Sequence, residues 1–387
     1  MRITPPDRVM PVLTCASLLA FWLLDFLTLQ PNRIVPGTGF GADAALGWPW
    51  ALSITTLLLI LLVSSFIRLR ATHALQLLCV ILLLCQLPLS LAGFSAAQVP
   101  DTLPHARTGI AAGFWLLLFF AALMLIELQQ KMHLSRLRIT ALLILPLICL
   151  IWVYYTGQIE SLALVREYAA RSSQFQDALQ VHLLLVSGAV GFSLLLGFLL
   201  VLLMRQWPAV QKFTFGLLNF IQTIPSLALF GLLIAPLGYL ASRSEFLQAI
   251  NVSGIGWAPA LIALVAYSLL PIVRNIFIAL EEVSDAVLES ARGMGMSRIQ
   301  VFLQVRLPLA MPVILEGIRI TSIQAIGLTA VAALIGAGGL GSFIFQGLGQ
   351  AAMDMILLGA LPILVMALLA DLLFSGLAGL FRNGAKQ

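Results

Sequence analysis

Apolar runs of about 18 residues or more recur along the whole chain, and a helix of that length crosses a hydrocarbon core of roughly 30 Å. Lipid offers no partner to a backbone donor or acceptor, so long unbroken runs of this kind fold as helices; barrel strands are shorter and alternate. Composition agrees: of 387 residues, 61% are hydrophobic and only 10% charged, with a mean hydropathy of +1.05. Soluble chains carry roughly a quarter charged residues, so this one lacks the polar groups to cover a water-facing surface. The expected fold is all-α and polytopic, with about ten spans near 10–29, 49–67, 74–94, 109–128, 139–156, 182–204, 213–240, 258–276, 309–335 and 355–381. The first run exceeds the h-region of about 7–15 residues in a signal peptide and no small-x-small site follows it, so it reads as a retained helix.

Charge placement orients the chain. With the N-terminus inside, only Arg33, Arg107, Arg166, Arg171 and Arg243 fall in outer loops, and the remaining sixteen of the 21 Lys and Arg lie inside. Shifting the count by one span would reverse that bias, so the positive-inside rule places both termini in the cytoplasm. The net charge of +5 therefore belongs to topology. No basic patch alternates with stacking aromatics, which excludes a nucleic-acid partner. Cys15, Cys79, Cys85 and Cys149 all lie inside apolar runs and read as buried structural thiols. His73, His105, His133 and His182 are scattered without metal-ligand spacing, so no metal site is expected.

One composition shift divides the chain. Residues 1–157 form a Leu-rich five-span extension with little motif content. Residues 158–181 are a polar, helical, extracytoplasmic segment, and 182–381 carry Gly, Pro and polar residues at particular places. No repeat links the two halves.

The most informative stretch is the inner loop 281–308 between the eighth and ninth spans. Ser284 or Asp285 can cap a helix from Asp285 to Arg292, Gly293 and Gly295 can end it, and Ser297 can cap a second short helix that Pro308 closes. Glu289-Ser290-Ala291, then Gly295, then Leu307-Pro308 resemble, at that spacing, the coupling-loop motif of ATP-binding cassette (ABC) importer permeases. That pattern begins Glu-Ala-Ala, so Ser290 departs from it while keeping a small residue, and Val305 stands where isoleucine is usual. The resemblance implies that the loop docks on a separate ATPase subunit, with Glu289, Ser290, Ala291, Gly293, Gly295, Leu307 and Pro308 at the contact. Small residues there permit close approach, and Glu289 offers a carboxylate to a basic partner.

Two more stretches narrow the family. Gln222-Thr223-Ile224-Pro225-Ser226 lies inside the seventh expected span, and Ile335-Gly336-Ala337-Gly338-Gly339-Leu340-Gly341 at the outer end of the ninth. With Tyr267-Ser268-Leu269-Leu270-Pro271, they resemble osmoprotectant importers that take up glycine betaine, choline and related quaternary amines; the N-terminal five spans resemble the extension of YehY-type members. The implied fold of 182–381 is a type I importer permease core, MetI-like. Pro225 removes a backbone donor and kinks its helix, beside the polar groups of Gln222, Thr223 and Ser226 at membrane depth. Such groups serve either as interhelical glue or as pathway lining, and clustering at a kink favours the pathway. Gly336, Gly338 and Gly339 serve either close helix packing or a bent outer gate. Glu316 and Arg319, three apart on one face, are expected to pair, and Asp371 to contact a neighbouring helix.

The chain carries no His-Glu-x-x-His, no Gly-x-Ser-x-Gly and no Gly-Lys-Ser/Thr phosphate loop, so no catalytic residues are assigned. ATP and magnesium would bind a partner ATPase, not this chain. The other implied partners are a second permease copy or paralogue, a periplasmic substrate-binding protein and the lipid bilayer of the bacterial inner membrane. The alternative is an ion-coupled secondary transporter, which calls for paired repeats with matching broken helices and a central ion site.

Overall fold

The computed structural model describes residues 8–32, 37–67, 70–99 and 105–384, in two compact units, Met1–Ala170 and Arg171–Gln387. Of the basic residues used for orientation, Arg2, Arg33, Arg68 and Lys386 lie outside the described residues.

The first unit runs α1 (Val9–Leu23), β1 (Leu27–Gln30), β2 (Thr38–Phe40), α2 (Ala42–Leu46), α3 (Trp48–Ser64), α4 (Arg70–Gln98), β3 (Arg107–Ile110), α5 (Ala112–Lys131), α6 (Arg136–Tyr155) and α7 (Ala163–Ala170). The expected first span, 10–29, is corrected here. The helix stops at Leu23, Leu24 turns extended (φ −111°, ψ 153°) and Leu27–Gln30 enters a small antiparallel sheet of order β2-β1-β3. Hydropathy cannot separate these states, because a short apolar strand and the end of an apolar helix read alike. The sheet pairs Leu27 with Phe40 on one side and with Ile110 on the other. Segment 158–170 folds onto its free edge. The Thr108 amide donates to the Ser161 carbonyl (2.9 Å), the hydroxyls of Ser95, Thr108 and Ser161 form a buried cluster, and Arg107 pairs with the buried Glu167 at 3.1 Å. Phe21, Phe26, Leu58, Leu83, Leu117 and Met124 fill the centre of this unit.

The second unit comprises α8 (Ser172–Gln206), α9 (Pro208–Thr223), α10 (Ser226–Ser242), α11 (Glu245–Ala249), α12 (Trp257–Glu281), α13 (Asp285–Gly293), α14 (Arg298–Gln300), a π-helical turn (Val301–Arg306), α15 (Leu307–Ala332), a 3₁₀ turn (Ala333–Ile335), α16 (Gly341–Gly349) and α17 (Met353–Gly384). Helix α12 is its axis, packed against α8 and α15, and α15 packs in turn against α17. Its apolar core divides into two clusters, one around Val273, Phe277 and Leu280, the other around Ala260, Leu264 and Phe230.

Among the described residues, eight helices are long and apolar enough to cross a membrane, and α1, at 15 residues, is shorter. The expected seventh span, 213–240, is a broken pair: α9 and α10 meet at a bend of 103°. Pro225 explains the break, since it donates no N–H and disfavours the helical conformation at Ile224 (ψ 127°). The expected ninth span begins earlier than 309: helix continues from Arg298 to Ile335. Pro308 therefore does not close the second short helix. It sits in the first turn of α15, directly after a turn in which the Leu307 amide reaches five residues back to the Phe302 carbonyl. A π turn loosens the ladder where the proline has no donor to give, so the axis continues through it.

Candidate functional site: a loop, a helix break and a glycine elbow

The loop between α12 and α15 is built from its caps inward. Ser284 occupies the N-cap of α13, but its side chain makes no capping bond. The far end is closed by Gly295, which takes φ +86°; its amide donates to the Arg292 carbonyl (2.9 Å) and that of Met296 to Ala291 (3.3 Å). This 6→1 and 5→2 pairing is a Schellman end, which requires a left-handed residue. Gly293 is the last helical residue, and the left-handed turn that closes the helix falls on Gly295. Ser297 then forms a reciprocal capping box with Gln300, at 3.3 Å and 2.8 Å. The loop is thus two rigid caps around one glycine turn.

Burial sorts its residues. Leu288, Ala291 and Val301 pack into the core beneath with Phe277, Leu280 and Val283. Glu289, Ser290, Gly293, Gly295 and Pro308 are exposed, and Leu307 is half-buried. So Ala291 fixes the loop to the core, while Glu289 and Ser290 face away from it. Sequence reading missed four apolar side chains on the exposed surface: Val287, Met294 (77% exposed), Ile299 (71%) and Leu303. Once Leu288 and Ala291 mark the buried face of α13, Val287 and Met294 stand out as apolar residues on the wrong side of a charged loop.

At the α9–α10 break, two prolines on different helices answer each other. Pro271 lies inside α12 and has no N–H for the carbonyl of Tyr267, four residues back. The Gln222 amide donates to that carbonyl at 2.6 Å. In return the Tyr267 hydroxyl donates to the carbonyl of Ile224, the residue before Pro225. Gln222 thus acts as interhelical glue in this structure, Thr223 bonds back to the Phe220 carbonyl (2.7 Å) and Pro225 is exposed. Tyr267 is the functional residue that motif reading left without a role; the four-residue spacing from Pro271 is the signal that points to it. Gln222→Leu should leave the Tyr267 carbonyl buried and unpaired at a cost of about 1–3 kcal/mol. A fall in the thermal midpoint of detergent-purified protein is the expected reading.

The glycine run forms an elbow. After the 3₁₀ turn, Gly336 (φ +78°), Gly338 (φ +77°) and Gly339 (φ +80°) reverse the chain into α16. No side-chain-bearing residue takes three left-handed conformations in four positions without strain. The Gly256 amide, at the start of α12, donates to the Ile335 carbonyl at 2.8 Å, which ties the elbow to the preceding loop. The elbow and the 285–306 loop lie at opposite ends of α15, whose 26 residues span about 39 Å. The predicted residues therefore form separate devices along one helix. Between them, Arg319 bonds Glu316 on its own helix and Asp371 of α17 at 2.5 Å, with Ser375 at 3.5 Å, so both expected partners of the charged residues are present.

Comparison with known proteins accounts for both units. Residues 189–387 match the family of binding-protein-dependent transport system inner membrane components, and residues 7–165 match the N-terminal domain of the ABC transporter permease YehY. The carnitine transport permease protein OpuCB of Listeria monocytogenes is 39% identical over 170 residues, covering 44% of this chain and 71% of that protein. The choline transport system permease protein OpuBD of Bacillus subtilis is 36% identical over 215 residues (55% and 88%). The osmoprotectant import permease protein OsmW of Salmonella typhimurium is 42% identical over 192 residues (49% and 83%).

Proposed function

Since the chain belongs to the binding-protein-dependent transport inner membrane components, we propose that it forms the translocation pathway for osmoprotectants of the betaine, choline and carnitine class. The observation that carries the coupling half of this reading is the rigid, doubly capped loop with Val287, Met294, Ile299 and Leu303 exposed around Glu289 and Ser290. Apolar anchors ringed by polar groups are what a groove on a partner ATPase would bury. ATP and magnesium bind that partner, and its closure reaches α15 through the π turn. A second permease copy completes the pathway, and a periplasmic binding protein selects the solute, aromatic cages being suited to quaternary ammonium ions. Thr223, Pro225 and Ser226 border the path at the break, which the Gln222 bond to α12 holds in place, and Gly336, Gly338 and Gly339 form its outer gate. Residues 1–157 act as an accessory bundle, 158–181 lie on the periplasmic side, and 182–381 are the transport core.

The test is reconstitution with the cognate ATPase and binding protein in proteoliposomes. Glycine betaine, choline or carnitine should stimulate ATP hydrolysis and enter the vesicles. Uptake that needs an ion gradient and no ATP would overturn the reading in favour of a secondary carrier. Orientation is tested separately: a cysteine at Gln176 should react with an impermeant maleimide added to spheroplasts, and one at Lys131 should not. The reverse pattern would invert the topology.

A further inference from the structure

His182 of α8 is fully buried, and its ring lies between α15 and the glycine elbow. Nε2 is 3.1 Å from the carbonyl oxygen of Ile326 in α15. A carbonyl only accepts, so Nε2 carries the proton and donates, which leaves Nδ1 as a bare acceptor. Nδ1 has no partner. It faces the elbow: a Cβ placed on Gly339 would lie 3.3 Å from it, and one on Gly338 would meet the Val181 side chain at 3.5 Å. Among the described residues, no hydrogen bond engages the backbone amides of Gly338, Gly339 or Leu340, whereas the Gly339 carbonyl already accepts from Ser342 at 2.7 Å. An unfilled acceptor thus lies beside Gly339, in a segment whose amides are unfilled and whose glycines let a peptide plane rotate freely. Buried polar groups are rarely left this way, and an orphaned pair is one place where a protein stores a second arrangement.

We propose that His182 is a positioning residue for the outer gate: Nε2 holds α15 in place, and Nδ1 is kept open to catch an amide of the 338–340 elbow when the gate changes state. This rests on the reading of the elbow as a gate. In the arrangement described, the elbow is released and the ring is tethered on one side only. In the alternate state one peptide plane turns, its N–H meets Nδ1, and α8, α15 and the elbow are joined through a single imidazole. The latch adds no charge and moves no proton.

Two variants separate the ring's two nitrogens. His182→Gln places an amide where Nε2 lies and keeps the bond to Ile326 but offers nothing at the Nδ1 position; His182→Asn does the reverse. In the reconstituted importer, His182→Gln should assemble normally and lower kcat for solute uptake by about tenfold, with KM within about twofold of wild type. His182→Asn should instead lower thermal stability and recover more of the turnover. Independently, ¹⁵N-histidine spectra of the wild-type complex, assigned by difference against His182→Gln, should show the Nδ1 resonance moving between the resting and the vanadate-trapped ATP states. An unmoved Nδ1 resonance, or wild-type turnover in His182→Gln, overturns the latch. If His182→Gln does not fold, the spectrum of the wild-type complex, assigned against His182→Asn, still decides. If none of the quaternary amines is imported, the substrate assignment fails while the nucleotide-driven shift continues to test the latch.

Discussion

Gly295→Trp is expected to leave the permease inserted and folded while cutting solute uptake by about tenfold or more. A Cβ built on Gly295 meets nothing within 4 Å among the described residues, and the turn is exposed, so a side chain there starts out in open space. The intrinsic cost is the left-handed conformation, φ +86°, worth about 1–2 kcal/mol for a residue with a side chain. That strain is local to an exposed turn and too small to unfold a membrane bundle. The added bulk projects from the loop beside Met294, into the space a docked ATPase would fill. Gly295→Ala separates the two effects, since it carries the strain without the bulk and should lose far less transport. Gly293→Ala is the matching control: Gly293 is helical and also has open space around it, so alanine should stabilise α13 by up to about 1 kcal/mol. The measurement is uptake and ATP hydrolysis in the same proteoliposomes. Full transport by Gly295→Trp would remove this loop from the partner interface.

The largest loss of stability is expected at Arg319. Its guanidinium bonds Glu316 and Asp371, and methionine in its place leaves two carboxylates within spans 298–335 and 353–381 without their cation. Losing a shared cation from carboxylates in a span costs up to about 3 kcal/mol, a figure that the partial exposure of Glu316 and Asp371 (41% and 32%) lowers. Arg319→Met should therefore lower the thermal midpoint and the folded yield sharply. Adding Asp371→Asn should restore part of both, since it removes one of the two negative charges that Arg319 balances. A double-mutant cycle on purified protein measures this coupling, and simple additivity would show that the two residues do not act as a pair.

The membrane class, the helical fold and the loop's glycine turn were legible from residues alone. Apolar length fixes the first two, and the position of Gly295 after an amphipathic segment fixes the third. Three features were not legible, each for a physical reason. The end of α1 was misplaced because Phe26, Leu27 and Leu29 carry the apolar run on past Leu23, and only pairing with Phe40 and Ile110 makes the segment a strand. Pro308 was read as a stop because a proline normally breaks the ladder, whereas here the π turn at Val301–Arg306 absorbs the missing donor. The break in span seven was read as a kink, since a sequence shows that Pro225 interrupts a helix but not by what angle. At the candidate site, motif residues marked the segments but not the contacts. Ala291 turned inward and Met294 outward, and Tyr267 and His182 acquired roles only when a carbonyl on another helix was seen beside them.

The exchange between Gln222, Tyr267 and the two prolines also bears on how such a chain can change over generations. Pro271 leaves a carbonyl on α12 that only a donor from elsewhere can serve, and Gln222 serves it. A lineage that replaces Pro271 regains an amide for that carbonyl and frees the glutamine to drift. One that loses Gln222 first carries an unserved carbonyl until the proline is replaced as well. On the other side of the exchange, the Tyr267 hydroxyl serves the Ile224 carbonyl at the helix break. Gln222 and the Tyr267 carbonyl it serves lie 45 residues apart on the chain, so the order in which residues 222 and 271 can be exchanged without an unserved carbonyl is not free.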